Sequence, residues 1–191
     1  MHVGLFFGSF NPIHIGHMAL ANYMVEFTDM DQVWFVVSPH NPLKTKSSLL
    51  NQDQRLYMVN VAVEDFPKFR SSNIEFSLQQ PSYTVNTLAH LKEKYPKDKF
   101  SLIIGQDNLV TFDKWRNYEA ILEKHKLYVY PRRDAGKSKF DTHPNVIITE
   151  APVMEISSTF IRKAIKEKKD IRFFLPPKAW AYIDEMNLYK K

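Results

Sequence analysis

Short apolar runs alternate along the chain with longer segments in which apolar residues recur at three- and four-residue steps. The runs 3–7, 33–37, 74–78, 100–104, 127–130 and 146–149 are rich in Val, Ile, Phe and Tyr and mostly lack strict alternation. They read as strands covered on both faces. Between them, Ala19, Leu20, Tyr23, Met24 and Phe27 keep a helical step, as do Leu56, Val59, Val63 and Phe66. The stretches 84–95, 115–123, 158–168 and 177–186 follow the same pattern. Strand and helix at this rhythm predict an α/β fold, a Rossmann-like doubly wound parallel sheet with a small C-terminal helical cap. Residues 132–144 are polar, contain Gly136 and read as a loop.

Length and composition narrow the class. A chain of 191 residues suggests one domain over 1–191, with 158–191 as its C-terminal helical part. It can bury roughly 70% of its unfolded surface and needs no covalent staple. It has none, since the cysteine count is 0. Disulfide scaffolds, thiolate zinc sites, cysteine nucleophiles and iron–sulfur clusters are thereby excluded. The opening apolar stretch is too short for a signal peptide, and no run approaches the ~20 apolar residues of a membrane span. A cytoplasmic protein with no membrane partner is expected. The net charge of +5 suits nucleic acid and small phosphorylated substrates alike.

In a doubly wound sheet the ligand lies beyond the carboxyl ends of the strands. Three loops there carry candidate chemistry. The first runs Gly8-Ser9-Phe10-Asn11-Pro12-Ile13-His14-Ile15-Gly16-His17. Gly8 and Ser9 allow a tight turn whose amides can meet an anion. His14 and His17, three apart at a helix start, share one face near its partial positive charge. The Gly-x-Gly-x-x-Gly dinucleotide fingerprint is missing, and a zinc site would need a third ligand. The last loop, Glu155-Ile156-Ser157-Ser158-Thr159-Phe160-Ile161-Arg162, places three hydroxyls before a helix and an arginine one turn on. The middle loop, Gly105-Gln106-Asp107-Asn108, permits close approach of a nucleotide, offers Asp107 as a hydrogen-bond acceptor, and leads to Trp115, a flat face for a heteroaromatic ring.

The first loop resembles the signature of the HIGH-motif nucleotidyltransferases, and Ile156-Ser157-Ser158-Thr159-Phe160-Ile161-Arg162 resembles their I-S-S-T-x-I-R segment. The middle of the chain is similar to the bacterial nicotinate-nucleotide adenylyltransferases. Ile104-Gly105-Gln106-Asp107 with Leu109, Phe112 and Trp115 matches their I-G-x-D-x-L-x-x-F-x-x-W, and Pro81-Ser82-Tyr83-Thr84 their P-S-Y-T-x-x-T-L. The resemblance implies a Rossmann-like fold and transfer of AMP from ATP to nicotinate mononucleotide, with pyrophosphate leaving by direct in-line attack. It implies that His14 and His17 contact ATP phosphates, and that Gly8, Ser9, Phe10, Gly105, Asp107, Ile156, Ser157, Ser158, Thr159 and Arg162 complete the ATP site. The mononucleotide would meet Asn41, Lys44, Tyr83, Thr84, Trp115, Arg116 and Arg133, with ring stacking at Trp115 and amides near Thr84 and Arg116 on the carboxylate. His14, His17, Lys44 and Arg162 would carry the catalysis. The loop at 39–44 is shorter than the family's, with Leu43 in place of its Pro-His, and Asp134 replaces a proline after Arg132-Arg133. Mg²⁺ is expected to ride on ATP without a dedicated protein site.

Other readings are adenylyl transfer to nicotinamide mononucleotide or to phosphopantetheine, a non-catalytic nucleotide sensor, and an RNA-binding module. The His14/His17 pair with 157–162 argues against a silent sensor. The RNA reading lacks interleaved aromatic and basic runs. The sequence leaves the choice between monomer and homo-oligomer open.

Overall fold

The computed structural model describes residues 1–39 and 49–190. Six strands form one sheet: β1 (His2–Gly8), β2 (Gln32–Val37), β3 (Phe69–Ser72), β4 (Lys99–Gly105), β5 (Leu127–Tyr130) and β6 (Val146–Ile148). Their order is β3-β2-β1-β4-β5-β6, parallel throughout. The helices among the described residues are α1 (Ile15–Phe27), α2 (Gln52–Val63), α3 (Thr84–Lys94), α4 (Gln106–Val110), α5 (Tyr118–Lys124), α6 (Ser158–Lys166) and α7 (Pro177–Glu185).

Both faces of the sheet are buried, which explains its nearly continuous apolar runs. On one face Phe6, Val33, Phe35 and Ile103 meet Leu20 and Met24 of α1, Met58 and Val59 of α2, Ile161 of α6 and Ile183 of α7. On the other, Val3, Leu5, Leu102 and Ile104 meet Leu88 and Leu91 of α3, Leu109 of α4 and Ile121 of α5. The C-terminal helices therefore join the α1/α2 layer. The chain lays β2 and β3 to one side of β1, then crosses to place β4 on the other. That switch sets the carboxyl ends of β1 and β4 side by side and opens a crevice there.

Three predicted elements differ. Residues 74–78 are not a strand: Ile74–Ser77 is a 3₁₀ turn, and β3 lies just before it. β3 is an edge strand, paired only with β2 from Val33↔Phe69 to Val36↔Ser72. Three of its four residues, Arg70, Ser71 and Ser72, are polar because one side lacks a neighbour, while Ile74 reaches the core from the turn. The predicted helix at 115–123 is shorter. Asn117 is left-handed at φ 52°, so α5 starts at Tyr118 and Trp115 sits on extended backbone. Finally, α4 follows β4 without a loop, in a stretch where no helix was expected.

Candidate active site

The β1–β4 crevice is a cavity of about 870 Å³, lined from the ends of β1, β4 and β5 and from the turns leading into α1, α3 and α6. Of the sequence-predicted residues it brings together Gly8, Ser9, Phe10, His14, His17, Thr84, Gly105, Asp107, Trp115, Ile156, Ser157, Ser158, Thr159 and Arg162. Asn41 and Lys44 lie outside the described residues.

The loop after β1 turns differently from expectation. The positive backbone angle falls on Phe10, at φ 43°, a strained position for a bulky residue. Gly8 serves by close approach, since a Cβ there would stand 2.9 Å from the Phe10 ring. The Phe10 ring packs edge-on against Phe6, Phe35 and His17, and this packing holds the strained residue in place.

His14 caps α1, and its ring stacks on His17 with centroids 3.6 Å apart. The His17 Nδ1 accepts from the His14 backbone amide at 3.2 Å. A neutral His17 therefore carries its proton on Nε2. His14 is only 5% exposed, and its Nδ1 is buried without a hydrogen-bond partner among the described residues. Burial, with the Arg132 charge second, depresses the His14 imidazole to about 4. It is neutral at pH 7 and acts there as a dipole and hydrogen-bonding group.

Across the crevice, Ser157 caps α6 by accepting from the Phe160 amide at 3.2 Å. The Ser158 hydroxyl donates to the Pro12 carbonyl at 2.9 Å, and Arg162 donates through Nη1 to the Asn11 carbonyl at 2.9 Å. The two loops are thus bonded to each other, 146 and 151 residues apart in sequence. Asn11 Oδ1 is held as well, by the Leu50 amide at 3.3 Å and the Tyr189 hydroxyl at 2.7 Å.

On the opposite wall, α3 begins at Thr84; the Asn86 and Thr87 amides donate to the Tyr83 carbonyl at 2.9 and 3.2 Å, and those of Thr84 and Val85 lie ahead of the helix ladder. Trp115 packs against Phe112 with centroids 5.2 Å apart and presents itself to the cavity. Glu75, 3% exposed, also lines this wall. Thr87 donates to it at 2.8 Å, and the Ser38 and Ser82 side chains stand close to it. Burial nevertheless pushes its carboxyl up from the usual 4.5. Its ionised form is then a cost to stability that grows as pH rises from about 4.5 through the raised folded value, and is constant above it. Glu75→Gln should therefore melt close to wild type near pH 4 and gain on it as pH rises through the folded value. A melting difference that stays flat across that range would mean Glu75 does not titrate this way.

Three predicted residues stand apart. Tyr83 and Arg116 are not among the lining residues; the Arg116 guanidinium lies 4.8 Å over the Tyr83 ring. Arg133 is not among the lining residues either and pairs with Glu155 at 2.8 Å. Arg132 lines the cavity instead, 3.7 Å from Asp107 Oδ1 and over the Tyr130 ring. Alternation decides this, because Arg132 lies two residues beyond Tyr130 of β5 and shares its side. That parity was available in the sequence. Asn11, Arg55, Glu75 and Tyr189 gave no comparable signal.

Parallel α/β architecture, two hydroxyl- and histidine-bearing loops at the switch point, and an aromatic wall define a nucleotide-handling protein. The Cytidylyltransferase-like family model matches residues 5–164. A probable nicotinate-nucleotide adenylyltransferase of Flavobacterium psychrophilum is 59% identical over 193 residues, covering 100% of both chains. One of Bacteroides thetaiotaomicron is 50% identical, covering 97% of this chain and 92% of its own. Among solved structures, Plasmodium falciparum nicotinic acid mononucleotide adenylyltransferase, complexed with NaAD, shares the fold with a TM-score of 0.81 at 19% identity, covering 99% of this chain and 97% of its own. The chain belongs to the nicotinate-nucleotide adenylyltransferase family, and so to the nucleotidyltransferases. No helix among the described residues is long and apolar enough to cross a membrane.

Proposed function

We propose that the protein transfers AMP from ATP to nicotinate mononucleotide, a step of NAD biosynthesis, giving nicotinate adenine dinucleotide and pyrophosphate. The observation that carries this is one cavity joining the His14/His17 and Ser157–Arg162 loops to a wall made by Thr84 and Trp115. A 5′-phosphate oxygen of the acceptor attacks the α-phosphorus of ATP. The bridging bond to the β-phosphate breaks, and its electron pair leaves with pyrophosphate. The attacking oxygen is already ionised, so no strong general base is required. Catalysis is positioning and charge stabilisation.

His14 and His17 take the α- and β-phosphates, where the negative charge shifts as the bond breaks. Ser157, Ser158 and Arg162 hold the leaving pyrophosphate, with Gly8, Ser9, Phe10, Ile156 and Thr159 shaping the pocket. Gly105 and Asp107 receive the adenosine. Trp115 stacks on the pyridine ring, and amides at the start of α3 receive its carboxylate, as helix N-termini do for anions. Lys44 and Asn41 meet the acceptor phosphate. Arg132 takes the place given to Arg133 from sequence, its charge facing the same anions. Mg²⁺ enters as part of MgATP, the substrate.

The test is pyrophosphate release from MgATP with nicotinate mononucleotide or its amide counterpart. Amide N–H donors suit a carboxylate and leave a carboxamide NH₂ unpaired, so the acid should be preferred by at least about tenfold in kcat/KM. Equal use of both would overturn the Thr84/Trp115 pocket and leave the chemistry. No release with either would overturn the acceptor altogether.

A further inference from the structure

Arg55 stands in the first turns of α2 and is 0% exposed. Among the described residues no carboxylate pairs with it. Its guanidinium instead grips backbone carbonyls from separate segments: Ser9 at 2.6 Å and Ser38 at 2.8 Å through Nη1, Pro39 at 2.7 Å through Nη2, and Leu50 at 3.0 Å through Nε. Four of its five N–H groups are used in this way. Burying an unpaired charge is expensive, and a methionine would fill the space without that cost. What the fork supplies is a fixed separation among the segments it joins, which a single ammonium cannot reproduce.

Two of these carbonyls matter most. Ser9 belongs to the loop that faces the ATP phosphates. Ser38 follows β2 and lines the same cavity wall as Glu75 and Ser82, its side chain close to the Glu75 carboxyl, which accepts from Thr87 in the first turn of α3. A continuous chain of contacts therefore runs Ser9–Arg55–Ser38–Glu75–Thr87, hydrogen-bonded from Ser9 to Ser38 and from Glu75 to Thr87. We infer that Arg55 is a positioning residue: through Ser38 and Glu75 it sets the distance between the two substrate sites, and with it the approach of the acceptor oxygen to the α-phosphorus. The inference rests on the adenylyl-transfer reading above for its kinetic consequence, and on the chain of contacts alone for its structural one.

Arg55→Met and Arg55→Lys should each lose about 100-fold in kcat at temperatures well below melting, since a misplacement near 1 Å costs that much. The dissociation constant of ATP alone, from calorimetry, should change less than about threefold, because each loop still adapts to its own ligand. Hydrogen exchange should speed up together at residues 9–13 and 82–87 in both variants. Ser38→Ala, which cuts the chain at its middle and leaves Arg55 in place, should speed exchange at 82–87 only and covers the case of Arg55 variants that do not fold. A Lys variant within about threefold of wild-type kcat would overturn the inference, because charge alone would then suffice. So would a loss of ATP affinity as large as the loss of kcat, or faster exchange confined to 9–13. Wild-type protein that releases no pyrophosphate with nicotinate mononucleotide would sink the acceptor instead, and the exchange pattern would then judge Arg55 by itself.

Discussion

His17→Ala is expected to lower kcat by about 100- to 1,000-fold, the usual consequence of losing a donor aimed at developing charge. The KM for ATP should rise less than about threefold. The asymmetry follows from the geometry. His17 is fixed through Nδ1 by the His14 amide, and its ring is wedged edge-on against Phe6 and Phe10. It is held in one orientation before any ligand arrives, so its hydrogen bond strengthens as charge moves onto the leaving group, with little reorganisation. In the proposed reaction ground-state ATP has other holders in the hydroxyls of 157–159 and the α6 N-terminus. Steady-state kinetics of the purified variant decide it: equal losses in kcat and ATP affinity would make His17 an ordinary binding residue.

Trp115→Ala should act on the other substrate. Stacking of an aromatic side chain on a heteroaromatic ring contributes about 1–3 kcal/mol, so the acceptor KM should rise about 5- to 150-fold. The KM for ATP and kcat at saturation should change little. The tryptophan sits on extended backbone between the 3₁₀ turn at Phe112–Lys114 and the left-handed Asn117. Its truncation thus removes a platform without breaking a helix. Phe112, fully buried behind it, keeps the wall in place. An unchanged acceptor KM would take Trp115 out of the site.

What could be read from the chain followed how each residue is buried. The runs of β1, β2, β4 and β5 are apolar on both sides because helices cover both faces, and they stood out. β3 did not, since an edge strand needs only one apolar side and its polar Arg70 and Ser71 masked it. The phosphate loops were legible because they depend on local strings: Gly8 to His17, and Ile156 to Arg162. Arg55 and Glu75 were not. A charged residue in a helix or a polar turn reads as surface, and its burial depends on carbonyls and hydroxyls brought in from other segments. Arg132 rather than Arg133 lines the cavity because it shares the side of Tyr130 at the end of β5.

Tyr189 lies 178 residues after Asn11 and hydrogen-bonds it in the folded protein. On the ribosome this hydroxyl leaves after all six strands and both phosphate loops. A nascent chain can pair its sheet and fill most of both cores while Asn11 still lacks one of its holders. The loop that carries Asn11 is then completed only after the sheet it belongs to, by a side chain 178 residues away in sequence.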